Sequence, residues 1–174
     1  MKIKIQILLF LGLALCLFSC GTYESLHHQP KTEGYNQEKP VVNKYSDTLF
    51  SSGTNYLVKN KQKLWELHIS GDALQLGLVN GGLSEPLIKK QERVFFTKIK
   101  DIIPSKFKQR MLRQFLKWYN RKLYLYVPEE YQTEIYGISQ YNSDDYQFIA
   151  PNYLRSLYLH AAHDIGHALQ DLAL

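Results

Sequence analysis

Apolar and polar positions follow three successive rhythms along this chain. The first is an unbroken apolar run from Ile7 to Phe18, preceded by Lys2 and Lys4. From Thr22 to about Tyr45 the run gives way to scattered polar residues with Pro30, Gly34 and Pro40 among them. Periodic patterns begin only after that. Asn55–Val58 and Leu64–Ile69 flank the polar stretch Lys59–Lys63, and the second run alternates bulky apolar with polar residues. This predicts a β-hairpin, with His68 on its solvated phase.

After Gly71 the period lengthens to that of a helix. Asp72 is placed to cap a short helix ending at Gly81-Gly82, where a left-handed C-cap costs little. Ser84 is placed to cap the next, with Pro86 in its first turn, Leu87, Val94, Phe95, Ile99 and Ile102 on its apolar side, and Pro104 as its stop. A third helix is expected from Ser105 to about Tyr126, with Phe107, Met111, Leu112, Phe115, Tyr119 and Leu123 on one face. Pro128, Glu129 and Glu130 open a fourth, whose inner face reads Tyr131, Ile135 and Ile138, and Asn142–Gln147 form a loop. The last begins near Pro151, and its apolar positions run through Leu154, Leu157, Tyr158, Ala161, Ile165 and Leu169 to Leu172. With neither glycine cap nor polar tail behind it, the end at Leu174 reads as an interruption of a longer domain. The class is α+β, mostly helical with an N-terminal β-hairpin.

The opening run has the form of a signal peptide: a basic start, an apolar core and the small Ser19 before Cys20. As a helix its twelve residues would cover about 18 Å, short of the roughly 30 Å hydrocarbon core of a bilayer. Leu17-Phe18-Ser19-Cys20 resembles a lipobox, in which the cysteine is alkylated with diacylglycerol before the preceding residues are cut away; Phe18 is bulkier than usual there. The expected organisation is a lipoprotein signal peptide over residues 1–19, a flexible tether over 20–45 and a partial domain over 46–174. Lipidated Cys20 makes the membrane a partner and the cell envelope the location. Gly21 rather than aspartate follows the cysteine, which points to the outer membrane.

Losing Lys2 and Lys4 lowers the formal net charge from +5 to +3, too little to suggest nucleic acid. Cys16 leaves with the signal peptide and Cys20 is consumed by lipid. No cysteine remains for a disulfide or a nucleophile. Lys106, Arg110, Arg113, Lys117 and Arg121 recur at steps of three and four on the third helix. They suit either a membrane-facing basic stripe or an ordinary solvated face.

Two constellations remain. On the last helix His160, His163, Asp164, His167 and Asp171 share one narrow stripe. His163–His167 mimics the two-histidine zinc helix, with aspartate for the usual glutamate and the helix-weakening Gly166 between. His160 is the available third ligand for a metal-dependent hydrolase. A satisfied polar face against a neighbouring layer needs no metal. The second constellation begins with Gly71, Gly77 and Gly81, whose spacing lets a helix approach neighbouring backbone closely.

Taken with Glu134-Ile135-Tyr136-Gly137-Ile138-Ser139, Ala150-Pro151-Asn152-Tyr153-Leu154 and Leu159-His160-Ala161-Ala162-His163-Asp164, these glycines resemble the N-terminal portion of the C45-type autoproteolytic acyltransferases and hydrolases. That family includes relatives of acyl-CoA:penicillin acyltransferase and phospholipase-B-like proteins, within the N-terminal-nucleophile (Ntn) hydrolases. The resemblance spans about Lys63 to Leu174. It implies a helix-rich segment leading into an αββα core, a nucleophilic cysteine just beyond Leu174, and a small acylated substrate attacked at an amide or thioester. It implies no cofactor, and as partner the downstream catalytic part of the same enzyme. Alone, this segment is expected to be inactive. Besides the metal hydrolase, the open alternative is a non-enzymatic lipidated binding module.

Overall fold

The computed structural model describes residues 22–162. Helical residues 22–27 (α1) lead through an extended stretch into four strands: β1 (Asn43–Ser46), β2 (Leu49–Ser52), β3 (Asn55–Lys59) and β4 (Trp65–His68). The helices α2 (Ala73–Ile102), α3 (Lys106–Tyr119), α4 (Glu129–Ser139) and α5 (Asn152–His160) follow. The strands pair antiparallel in the order β1-β2-β3-β4. The class is α+β. No helix among the described residues is long and apolar enough to cross a membrane.

The expected hairpin is β3–β4, in register at Leu57–Leu67 and Lys59–Trp65. Two further strands precede it. Gly53 at φ +59 sits in a two-residue loop between Ser52 and Asn55, a conformation that two-residue hairpin turns demand and glycine accepts freely. One face of the sheet lies on α2, where Leu57, Val79 and Leu83 are buried among Val42, Phe50, Trp65 and Ile69.

Asp72 caps α2 as expected, its carboxylate accepting from the Gln75 amide at 2.9 Å. The expected break at Gly81-Gly82 does not occur. Neither glycine has positive φ, and α2 continues as one helix of 30 residues, about 45 Å long. Ser84 caps nothing; its hydroxyl bonds Asn80 within the helix. These glycines provide proximity rather than a turn. A Cβ on Gly77 would collide with the carbonyl of Glu134, and one on Gly137 would lie 2.8 Å from the Gly77 Cα. Helices α2 and α4 therefore cross almost backbone to backbone, and Gly81 accepts the Tyr141 ring in the same way.

Two other expectations change for local reasons. The third helix ends at Tyr119, not near Tyr126, because the Asn120 side chain turns back to the Leu116 carbonyl at 2.9 Å and draws the chain into a 3-10 turn at Leu123–Tyr126. On α4, Tyr131 faces solvent at 53% exposure, while Gln132 and Thr133 are buried. The buried arc is rotated because the N-terminal stretch packs there. His28 Nε2 donates to Gln132 Oε1 at 2.9 Å and its ring stacks on Tyr124. The Thr133 hydroxyl reaches the Lys31 carbonyl, and the Gln75 amide reaches those of Asn36 and Glu38. Residues 22–42, expected as a free tether, run as a strap over α2 and α4. Polar composition did not prevent this, because the strap is held by hydrogen bonds and by Ser25 and Pro30, both buried.

Candidate functional site

The second core gathers Ile135, Ala150, Tyr153, Leu154 and Leu157 between α4 and α5. Tyr153 to Leu157 are buried in unbroken succession, so this stretch of α5 is enclosed on all sides, while its end at His160 is exposed. Arg155 is among them, 1% exposed, and its Nε donates to Glu92 Oε1 of α2 at 3.1 Å. A buried ion pair is tolerable only when its remaining lone pairs and protons are satisfied. Here they are: Glu92 Oε2 accepts from the Ser143 amide at 2.8 Å, and Arg155 Nη1 donates to the Ala150 carbonyl and to Asn152 Oδ1. The pair fastens the C-terminal half of α2 to α5.

A cavity of about 500 Å³ lies beside this pair. Phe96 and Ile99 of α2 form one wall, Leu112 and Leu116 of α3 another, and Tyr158 and Leu159 of α5 a third. Phe148 and Ile149 close the loop side, and Ala162 lies where the described chain ends. Its polar groups are mostly committed. Gln109 donates to the Ile103 carbonyl, Asn120 to Leu116, and Arg113 to Phe148, whose ring it also covers. The Tyr158 hydroxyl is the exception, buried with no hydrogen-bond partner among the described residues. Burial pushes its pKa up to about 12, so it is a neutral donor at physiological pH. Volume and lining suit an apolar chain of modest size.

A second polar hub stands at the strap. Gln132 Nε2 donates to the Tyr124 and Val127 carbonyls, both at 2.8 Å, and its Oε1 also accepts from the Tyr153 hydroxyl. This fixes the 3-10 turn that follows α3. Desolvation raises the Tyr153 pKa well above its ordinary value, so that hydroxyl donates at any working pH.

The histidines expected to bind metal are not assembled among the described residues. His160 is exposed and its Nδ1 donates to the Ser156 carbonyl at 2.8 Å. His163 and His167, with Asp164 and Asp171, lie outside the described residues, as does Cys20. Among the described residues no three His, Cys, Asp or Glu side chains are placed to hold a metal ion. His68 stacks on Tyr56 at the sheet surface, and His27 donates to the Tyr23 carbonyl. Ser156 accepts from Asn142 Nδ2 at 2.8 Å and Ser139 donates to the Tyr136 carbonyl. The cavity's apolar walls can hold an apolar group.

No protein-family model, curated protein or solved structure matches this chain. Sequence reasoning missed Glu92, Arg155 and Gln132. A faint signal existed for Arg155, the one charge between Leu154 and Leu157. Nothing local marked Glu92, which lies among other charged residues of α2.

Proposed function

We propose that this chain is the lipid-anchored N-terminal portion of a cysteine Ntn amidohydrolase or acyltransferase of the C45 type, and that its cavity forms one wall of the acyl site. One observation carries the reading: three of the segments that bear the resemblance pack against one another. Gly77 abuts Gly137, and Ile135 packs with Ala150, Tyr153 and Leu154. From there α5 leads to Leu159 and Ala162 on the cavity wall.

On this reading the chain is attached to the envelope through Cys20, on the outer membrane. A cysteine encoded shortly after Leu174 would start the catalytic chain of an αββα core. Its own α-amine takes the thiol proton and the thiolate attacks the carbonyl of an amide or thioester; the amine or thiol leaves carrying that proton as the acyl-enzyme forms, and water or an amine then takes the acyl group and frees the cysteine. The described part supplies the apolar enclosure and no reacting group.

The test is to express the complete reading frame and assay release from fatty-acyl amides, with the first cysteine beyond Leu174 changed to alanine as control. Hydrolysis lost in that variant is the expected result. A frame with no such cysteine, or hydrolysis that persists without it, overturns the enzymatic reading. The anchor is tested apart from it: mature protein should carry acyl mass at Cys20, and Cys20→Ser should abolish it.

A further inference from the structure

Helix α3 has an inner and an outer apolar side. Leu112 and Leu116 line the cavity. On the opposite side, at 3.6 residues per turn, Phe107, Met111 and Trp118 fall within about 40° of one another. They are exposed at 70%, 59% and 37%, and no residue of α3 is buried. Exposed apolar residues continue past both ends of the helix, at Ile102 before it and at Leu125 and Tyr126 after it. A solvated face would carry polar residues at these positions.

The charge on this surface has one sign. Between Asp101 and Glu129 there is no acidic residue, whereas Lys106, Arg110, Lys117 and Arg121 flank the outer arc on one side. Among the described residues none of these cations pairs with a carboxylate. Partial burial and the nearby Arg113 charge hold the Lys117 pKa below its ordinary value. Arg121 lies over the Trp118 ring, 4.8 Å from its centre.

We propose that the outer face of α3 lies flat on an anionic lipid surface, with Phe107, Met111 and Trp118 in the headgroup boundary and the flanking cations on lipid phosphates. The arc is narrow and convex and is bordered by cations that pair with no carboxylate among the described residues, as interfacial helices are; a protein partner would need a concavity and compensating acids. Charge complementarity selects anionic over zwitterionic lipid. The position also fits the proposed anchor. Leu26 of α1 packs in the cluster that holds Leu123 and Tyr124, just beyond α3, and Cys20 precedes α1 by two positions in the sequence. This clause alone rests on the lipoprotein reading, and nothing here depends on the enzymatic one.

The full chain is mixed with vesicles of phosphatidylcholine alone or with phosphatidylglycerol added, each containing brominated acyl chains. Tryptophan fluorescence is read against a Trp118→Phe variant, so that Trp65 contributes equally to both. Acyl mass at Cys20 is measured on the same sample, which separates failure of the anchor from failure of α3. The expected result is quenching of the Trp118 component in the anionic vesicles and little in the zwitterionic ones. Each cation removed in Arg110→Gln or Lys117→Gln should weaken partitioning about fivefold. Phe107→Ser with Met111→Ser should abolish quenching while the thermal midpoint stays put. Equal quenching in both lipids, or none in either, overturns the proposal. So does a Trp118 already shielded from iodide in lipid-free solution, which would mean a second copy or another part of the chain covers the face.

Discussion

The two halves of α2 live in different surroundings although they form one helix. Before Pro86, Leu74, Gly77, Leu78, Val79, Gly81, Gly82 and Leu83 are buried, pressed between the sheet, α4 and the strap. After it only Glu92 and Phe96 are, while Val94, Phe95 and Ile102 are exposed and the inner side borders a cavity. The first half is assembled by backbone proximity, where a single added methyl group has nowhere to go. The second is fastened at one polar point, Glu92–Arg155, and otherwise keeps open space. Rigid packing and a binding cavity cannot occupy the same stretch of helix. The chain separates them along its length, with Pro86 at the boundary.

The comparison is easiest to break at the crossing. Gly77→Val should cost more than about 4 kcal/mol, because its side chain meets the Glu134 carbonyl and the α2–α4 crossing cannot widen without opening the sheet-side core. Loss of a cooperative urea transition would be the readout. A transition like the wild type's would mean the helices are not held this closely.

Next in size is the fastening point. Arg155→Met leaves the Glu92 carboxylate buried without its partner and should cost about 3–5 kcal/mol. Combining it with Glu92→Leu should restore most of that loss, since no charge is then stranded. Chemical denaturation of the single and double variants measures the coupling. Additive losses would show that the pair does not act as a unit.

A paired truncation sharpens the contrast. Leu83, fully buried in the first half, should lose about 3 kcal/mol on Leu83→Ala. Leu116, which already faces the cavity, should lose less than about 1 kcal/mol on Leu116→Ala, since few contacts are there to lose. Equal losses would mean the cavity is packed in solution.

The smallest effect is alkaline. The Tyr158 pKa is raised in the folded protein, from an ordinary value near 10 to about 12. Folding therefore favours the protonated phenol, and that contribution is whole below pH 10 and lost as the pH rises toward 12. Tyr158→Phe should leave stability at neutral pH within about 0.5 kcal/mol, since no hydrogen bond is broken. It should also flatten part of the alkaline decline; Tyr153, raised by the same cause, accounts for another part. An unchanged alkaline profile would place the Tyr158 hydroxyl in water.

Much of this architecture is written locally. The alternation at Leu64–Ile69, the cap Asp72, the stop at Pro104 and the helix starts at Ser105 and Pro128 each depend on a residue and its near neighbours, so periodicity and local chemistry locate them. The glycine spacing correctly announced close approach but could not say whether Gly81-Gly82 also ended a helix. A C-cap and a crossing point use the same residue, and only the presence of α4 distinguishes them. The same limit hid the candidate site. Glu92 and Arg155 are 63 positions apart, and the Gln132 hub takes its partners from the strap, the 3-10 turn and α5. The strap reads as a tether because composition weighs the apolar surface a segment can bury, not the hydrogen bonds its neighbours offer. By itself the sequence determined where elements begin and what chemistry they carry. Which face of each is covered, where space is left, and which charges are stranded or paired were decided by the tertiary structure, because burial belongs to the neighbours and not to the residue.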